Sequence, residues 1–187
     1  MFHGSCRRVS KVLSLVLEPI SKSGVHYLAR IVSSRVVVAS KPRYRRCIAV
    51  DETKLCVKGV WVYVWSAVDG YSGELLALEA SYGRSCLNTI TFLKKALKLC
   101  SNKPLVIIDR GPWYRWALER LGIEYRYQRF GVRNVVERFF GYLKQRTERF
   151  YNNINTWRIK SLEDYASTIA ITRNLHIIIK KQRRCIT

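Results

Sequence analysis

Residues 104–109 read Pro-Leu-Val-Ile-Ile-Asp, a continuous apolar run that closes on a carboxylate and is followed by Arg110, Gly111 and Pro112. A strand that is apolar on both faces has to be covered on both, as parallel strands are inside α/β sheets. The flanking segments supply the cover. Residues 85–100 place Leu87, Ile90, Phe92, Leu93 and Leu97 at helical spacing, with Lys94, Lys95 and Lys98 toward the C-terminal end, where the helix dipole favours cations. Gly111-Pro112 opens a second helix reaching Leu121, with proline at a position whose missing N–H costs nothing.

Upstream the period changes to two. Residues 47–57 (CIAVDETKLCV), 60–69 (VWVYVWSAVD) and 74–81 (ELLALEAS) are rich in β-branched and aromatic residues and joined by short turns, which predicts an antiparallel meander. Downstream, residues 123–128 (IEYRYQ) predict a short strand, Val132–Phe150 a long helix, and Leu162–Ile179 a last one. Before the meander lie two short helical patterns. Arg7–Leu17 carries Val9, Leu13, Val16 and Leu17, and Glu18-Pro19 stops it. Ser21 caps the next, which holds Val25, Leu28, Ala29, Ile31 and Val32. The fold expected is α/β: a mixed sheet of three antiparallel and then parallel strands, flanked by helices, in the order of the RNase H-like fold, preceded by a short helix-turn-helix. The domain reading is 1–33 as a partial helix-turn-helix DNA-binding segment, 34–46 as a basic linker, and 47–187 as the catalytic-type domain with a C-terminal helix.

Charge points to the partner. Lys and Arg number 34 against 13 Asp and Glu, a net of +21, while 48% hydrophobic residues supply a core and exclude a disordered chain. The excess sits in two arms: +9 over residues 1–46, +3 over 47–127 and +9 over 128–187. A balanced centre between basic arms fits nucleic acid gripped on both sides. Lys22, His26 and Arg30 are the groove-reading candidates on the second helix, and Arg43, Arg45 and Arg46 the phosphate contacts of the linker. Six cysteines at 6, 47, 56, 86, 100 and 185 lack zinc or redox spacing, so they are expected to be reduced and mostly buried. No run of eighteen apolar residues occurs, so no membrane partner is expected, and the expected location is cytoplasmic.

Three acids carry the chemistry. Asp51 ends the apolar stretch Cys47–Val50, Asp109 stands at the C-terminal end of the parallel strand, and Glu137 lies early in the long helix. Strand ends of this kind are where open α/β sheets bind ligands. Each acid alone has a commonplace explanation: a buried ion pair, a turn, a helix N-terminal charge. Together, in so basic a chain, they predict a hard-cation site for two Mg²⁺ or Mn²⁺ ions and phosphoryl transfer. Lys144, two helical turns beyond Glu137, is expected on the same face as a phosphate contact, with Arg133 nearby. Trp61, Trp65 and Trp116 are read as core, and Trp113 and Tyr114 as substrate contacts beside Asp109.

The segments AVDET (49–53), GVWVYVWSAVD (59–69), IIDRGPWYRW (107–116) and FGVRNVVERFFGYLKQR (130–146) resemble the DDE transposases of short bacterial and archaeal insertion sequences, closest to the insertion-sequence-six group and its archaeal relatives. The resemblance covers residues 5–180 and maps the family motif onto Asp51, Asp109 and Glu137, with Lys144 at the following basic position. It implies an RNase H-like core that cuts and joins DNA with divalent metal, acting on element ends and target duplex, as a homodimer or larger on DNA, in a prokaryotic nucleoid. Two other readings compete: a non-catalytic DNA-binding protein from a decayed or domesticated element, and a structure-specific RNase H-like nuclease.

Overall fold

The computed structural model describes residues 6–16, 19–35, 41–57, 59–128, 131–147 and 159–184. The chain forms two compact units, Met1–Val37 and Val38–Thr187.

The first unit is a helical hairpin of α1 (Cys6–Val16) and α2 (Lys22–Arg35). Ser21 caps α2 by accepting the N–H of Gly24 at 3.0 Å, and the Ser10 hydroxyl donates to the Ile20 carbonyl at 2.5 Å, pinning the turn to α1.

The second unit runs β1 (Cys47–Val57), β2 (Val60–Asp69), β3 (Leu75–Ser81), α3 (Cys86–Leu97), β4 (Leu105–Ile108), α4 (Pro112–Leu121), β5 (Tyr125–Tyr127), a 3₁₀ turn (Gly131–Arg133), α5 (Asn134–Thr147) and α6 (Ile159–Arg184). The sheet order is β3-β2-β1-β4-β5. β1, β2 and β3 are antiparallel, whereas β4 joins β1 and β5 joins β4 in parallel. These are the strands expected, and the predicted helices recur with shifted ends: α5 starts after the 3₁₀ turn, and α6 is longer at both ends than Leu162–Ile179. Residues 148–150, the predicted end of the long helix, lie outside the described residues.

Helices cover both faces. Ala49, Leu55, Val64, Val68 and Ile107 pack on Val136, Phe139 and Leu143 of α5 and Leu162, Ala166 and Ala170 of α6. Ile48, Val50, Trp65, Val106 and Ile108 pack on Phe92, Leu93 and Ala96 of α3 and Tyr114, Ala117 and Leu118 of α4. The double coverage explains why β4 reads as an unbroken apolar run. Gly70, at the β2 turn, is required by packing, since a Cβ there would stand 2.5 Å from Val132 and 2.6 Å from Cys47.

The expected linker 34–46 is corrected at both ends. α2 continues to Arg35, and residues 41–46 are built into the second unit, where Arg43 forms a parallel bridge with Cys100 and Arg45 N–H donates to the Asn102 side chain at 2.9 Å. The cysteines described are all free, as expected, but only Cys47 is buried and Cys56 is exposed.

Candidate active site

Side chains of a strand alternate between faces, so Asp51 projects with Ala49 toward α5, and Glu52 with Val50 toward α4. The parallel register pairs Ala49 with Ile107; two residues further along both chains, Asp51 comes level with Asp109. Asp109 lies just beyond β4, its Oδ1 accepting the Gly111 N–H at 2.8 Å and so shaping the turn into α4. Glu137 stands in the first turn of α5.

One cation joins the three. Nη2 of Arg133 is 3.0 Å from Oδ2 of Asp51 and 3.8 Å from Oδ2 of Asp109, and its Nε is 3.9 Å from Oε1 of Glu137. Burial pushes the Asp51 carboxyl up to about 6; Arg133 pulls it down, and the neighbouring Glu52 and Asp109 charges add to the rise. The Arg133 guanidinium itself is desolvated, which favours its neutral form, yet the three carboxylates win and hold it above its ordinary value. Glu137 is the exposed member of the set and, with Gly131, Asn134 and Arg138, lines a groove of about 560 Å³.

The opposite face of the same strand end holds a second network. Glu52 accepts a short hydrogen bond from the Tyr114 hydroxyl and pairs with Arg84 at 3.3 Å. Arg84 in turn lies over the rings of Tyr63 and Trp113, 4.7 and 4.3 Å from their centroids. Burial raises the Glu52 carboxyl despite these partners, and burial together with the Glu52 charge raises the Tyr114 phenol well above its usual range. Glu52 and Arg84 carry no motif in the sequence that singles them out. Strand alternation was the available signal for Glu52, because the residue after Asp51 must face the other helix layer.

Several predicted contacts lie elsewhere than expected. Tyr114 is wholly buried and bonded to Glu52, so it is a core residue, not a substrate contact. Arg45 is 1% exposed, its guanidinium held by Asp69 at 2.5 Å and Glu74 at 3.2 Å, so it cannot reach a phosphate. Trp65 is core as expected, whereas Trp61 and Trp116 are 51% and 48% exposed. Trp61 lies under the Lys54 ammonium, 4.0 Å away, and Trp116 near Arg120. Trp113 is half-buried beside Asp109. Arg43 pairs with Glu74, and Arg46 is exposed over the Tyr71 ring. Lys144 is exposed on α5, about 10 Å along the axis from Glu137. In the first unit Lys22, His26 and Arg30 are all exposed, and their four-residue spacing puts them on one side of α2.

Three carboxylates are hard oxygen donors, and their kind and number suit a divalent cation. As arranged, with Arg133 standing between them, no group of three or more His, Cys, Asp or Glu side chains among the described residues closes on a single ion.

A family model described as a DDE domain, that of the IS240-type transposases, matches residues 46–182. The chain belongs to the DDE transposase family. An uncharacterized protein of Methanocaldococcus jannaschii is 44% identical over 149 residues, covering 79% of this chain and 68% of its own length. Another, from Aquifex aeolicus, is 45% identical over 56 residues, covering 29% of this chain and 46% of its own. Among solved structures, this DDE domain superposes on the BIV integrase catalytic core with a TM-score of 0.51 at 15% identity, covering 76% of this chain and 99% of that one. The HTLV-2 integrase catalytic core in complex with magnesium gives 0.51 at 18% identity over 71% and 86%. A chain of the simian T-cell lymphotropic virus intasome gives 0.53 at 19% identity over 87% of this chain and 63% of its own. At these identities the likeness shows the fold, which is RNase H-like, as the element order predicts.

Proposed function

We propose that this DDE domain cuts and rejoins DNA strands as the transposase of an insertion sequence, with Asp51, Asp109 and Glu137 holding two divalent cations, Mg²⁺ or Mn²⁺. The observation that carries the reading is the convergence of three carboxylates, from β1, the end of β4 and α5, on one guanidinium. The matched DDE domain supports it. Such ions, when bound, activate the attacking oxygen and neutralise the charge on the leaving one. The residues do the rest. Asp51 and Asp109 are fixed by strand register and by the turn hydrogen bond to Gly111, so their separation is set before substrate arrives. Glu137, the most exposed of the three and a lining residue of the groove, is the carboxylate placed to meet incoming DNA first. Arg138 and Lys144 along α5 offer phosphate contacts, and Trp113 offers a ring for an unpaired base beside Asp109. Water attacks the phosphodiester and releases a 3′-hydroxyl; that hydroxyl then attacks a target phosphodiester and expels a second 3′-hydroxyl, leaving no covalent bond to protein.

Lys22, His26 and Arg30 are proposed to read the element ends, and the acting form is a homodimer or larger on DNA. In support, the HTLV-2 integrase catalytic core has been solved in a trimeric and in a dimeric form. Among the described residues no helix is long and apolar enough to cross a membrane. The deciding experiment incubates the full chain with labelled duplexes carrying the element's ends, in Mg²⁺ or Mn²⁺. Nicked and joined products are expected with the wild type and none with Asp109→Asn. End binding without products under either ion would replace this reading with that of a DNA-binding derivative.

A further inference from the structure

We propose that Arg133 is a positioning residue that couples DNA to cation loading: its guanidinium serves the carboxylates in the free protein and a phosphodiester in the DNA complex, so each ligand raises affinity for the other. The inference rests on reading Asp51, Asp109 and Glu137 as the cation's ligands. A single side chain neutralises all three, and in the free protein it stands between them. It is held loosely. Among the described residues, only the 3.0 Å contact with Asp51 is a hydrogen bond; the distances of 3.8 and 3.9 Å to Asp109 and Glu137 are ion-pair separations, and the buried Nε has no hydrogen-bond partner there. A five-donor fork with one bond made to the described residues is well suited to a better acceptor, and phosphate oxygens offer bidentate pairing.

The location gives that acceptor access. Arg133 ends a 3₁₀ turn that starts at Gly131, whose φ of 84° is open to glycine at little cost, and the groove lined by Gly131, Asn134, Glu137 and Arg138 opens beside it. DNA lying in this groove brings phosphates to the turn that carries the guanidinium. A cation entering the free protein must displace a resident positive charge, whereas one entering the DNA complex meets carboxylates already released. By linkage, the gain runs equally in both directions. Arg133 therefore acts through the carboxylates and the phosphate without taking part in bond making.

The test is a titration of the full chain with Mn²⁺, with and without a short duplex oligonucleotide, in wild type, Arg133→Gln and Arg133→Lys, with Asp51→Asn as the background for ions bound by DNA alone. In wild type the duplex should raise Mn²⁺ affinity about 10-fold, inside the roughly 5–150-fold range of coupled sites. In Arg133→Gln the free protein should bind Mn²⁺ about 10-fold more tightly than wild type, and the duplex should add little. Arg133→Lys, which keeps the charge but not the fork, should retain part of the coupling; if Arg133→Gln fails to fold, a coupling reduced in Arg133→Lys supports the proposal and one left at the wild-type value overturns it. Unchanged Mn²⁺ affinity or undiminished coupling in a folded Arg133→Gln overturns the role of Arg133 while leaving the carboxylate site standing. No Mn²⁺ binding above the Asp51→Asn background in any protein, with or without DNA, overturns the carboxylate site itself and the coupling with it.

Discussion

The side-chain amide of Asn174 on α6 satisfies both backbone groups of Leu75 on β3, accepting its N–H at 2.9 Å and donating to its carbonyl at 2.8 Å. Neighbouring side chains extend the pattern: Glu163 accepts the Ala80 N–H at 2.8 Å, and Arg173 donates to the Gly73 carbonyl at 2.8 Å. Because β3 is an edge of the sheet, α6 occupies the place of a further strand and denies that edge to another chain.

Replacing Asn174 with Ala should therefore cost about 2–4 kcal/mol, since two buried backbone groups lose their partner at once. Urea unfolding with an unchanged slope is the measurement. A loss within about 0.5 kcal/mol, the range of an ordinary surface change, would show that α6 does not seal the edge.

Arg45 and Arg46 are adjacent in sequence and should behave oppositely. Arg45→Ala leaves the buried Asp69 carboxylate without its cation, while Glu74 keeps Arg43, a loss of about 3–5 kcal/mol. Arg46→Ala should leave stability within about 0.5 kcal/mol and lower the salt slope of duplex binding by about one. Melting curves and binding isotherms at several salt concentrations separate the two. Equal stability of the two variants would contradict the burial of Arg45.

That pair also marks what could be read in advance. Asp51, Asp109 and their parallel strands were legible, because apolar runs ending on carboxylates and the order of elements leave few topologies. A run of cations such as Lys41-Pro-Arg-Tyr-Arg-Arg46 does not say which one turns inward; that depends on Asp69 and Glu74, carboxylates contributed by a turn more than twenty residues away. The inward turn of Tyr114 is hidden for the same reason, since the helix α4 that carries it meets its partner Glu52 only on β1, 62 residues upstream. Arg133 was legible as a cation near Glu137, but its reach to Asp51 and Asp109 exists only once the 3₁₀ turn lies over the strand ends.

Under the proposed function, Asp51→Asn or Asp109→Asn should abolish strand cleavage and joining while leaving duplex affinity equal or higher. Removing a negative charge beside Arg133 frees that guanidinium for phosphate, and cation binding needs the carboxylates. Wild-type product yields from either variant in Mg²⁺ or Mn²⁺ would remove these residues from the chemistry.

With divalent ions chelated, stability should fall as pH rises through about 6. The native Asp51 carboxyl is raised from 3.8 to about 6, so between those values the folded protein keeps a proton that the unfolded chain has released. Its stabilising contribution is complete below the ordinary value and lost above about 6, a change of at most roughly 3 kcal/mol. Asp69 runs the other way: its carboxyl is desolvated, but the N–H groups of Ser72 and Tyr71 and the Arg45 guanidinium hold it low, so its contribution is lost on acidification. Asp51→Asn should accordingly be more stable than wild type near neutral pH, with the advantage shrinking toward about pH 4. Parallel unfolding curves at every pH would show that Asp51 is ionised at no cost.

Deleting residues 1–40 should separate recognition from chemistry. The deletion removes the whole unit Met1–Val37 and leaves both core clusters and the sheet intact in the unit that begins at Val38. Base-edge contacts would come from the α2 side bearing Lys22, His26 and Arg30, whereas phosphate contacts elsewhere bind any duplex. The truncated protein should therefore lose its preference for the element's ends over arbitrary duplex. It should keep steep salt dependence from the +9 carried by residues 128–187, and it should still join pre-nicked substrates in divalent metal, where positioning is already supplied. A cooperative melt of the truncated chain establishes that it has folded, and competition binding against arbitrary duplex reads the preference. Full end preference after truncation would take groove reading away from α2 and assign it to the DDE domain.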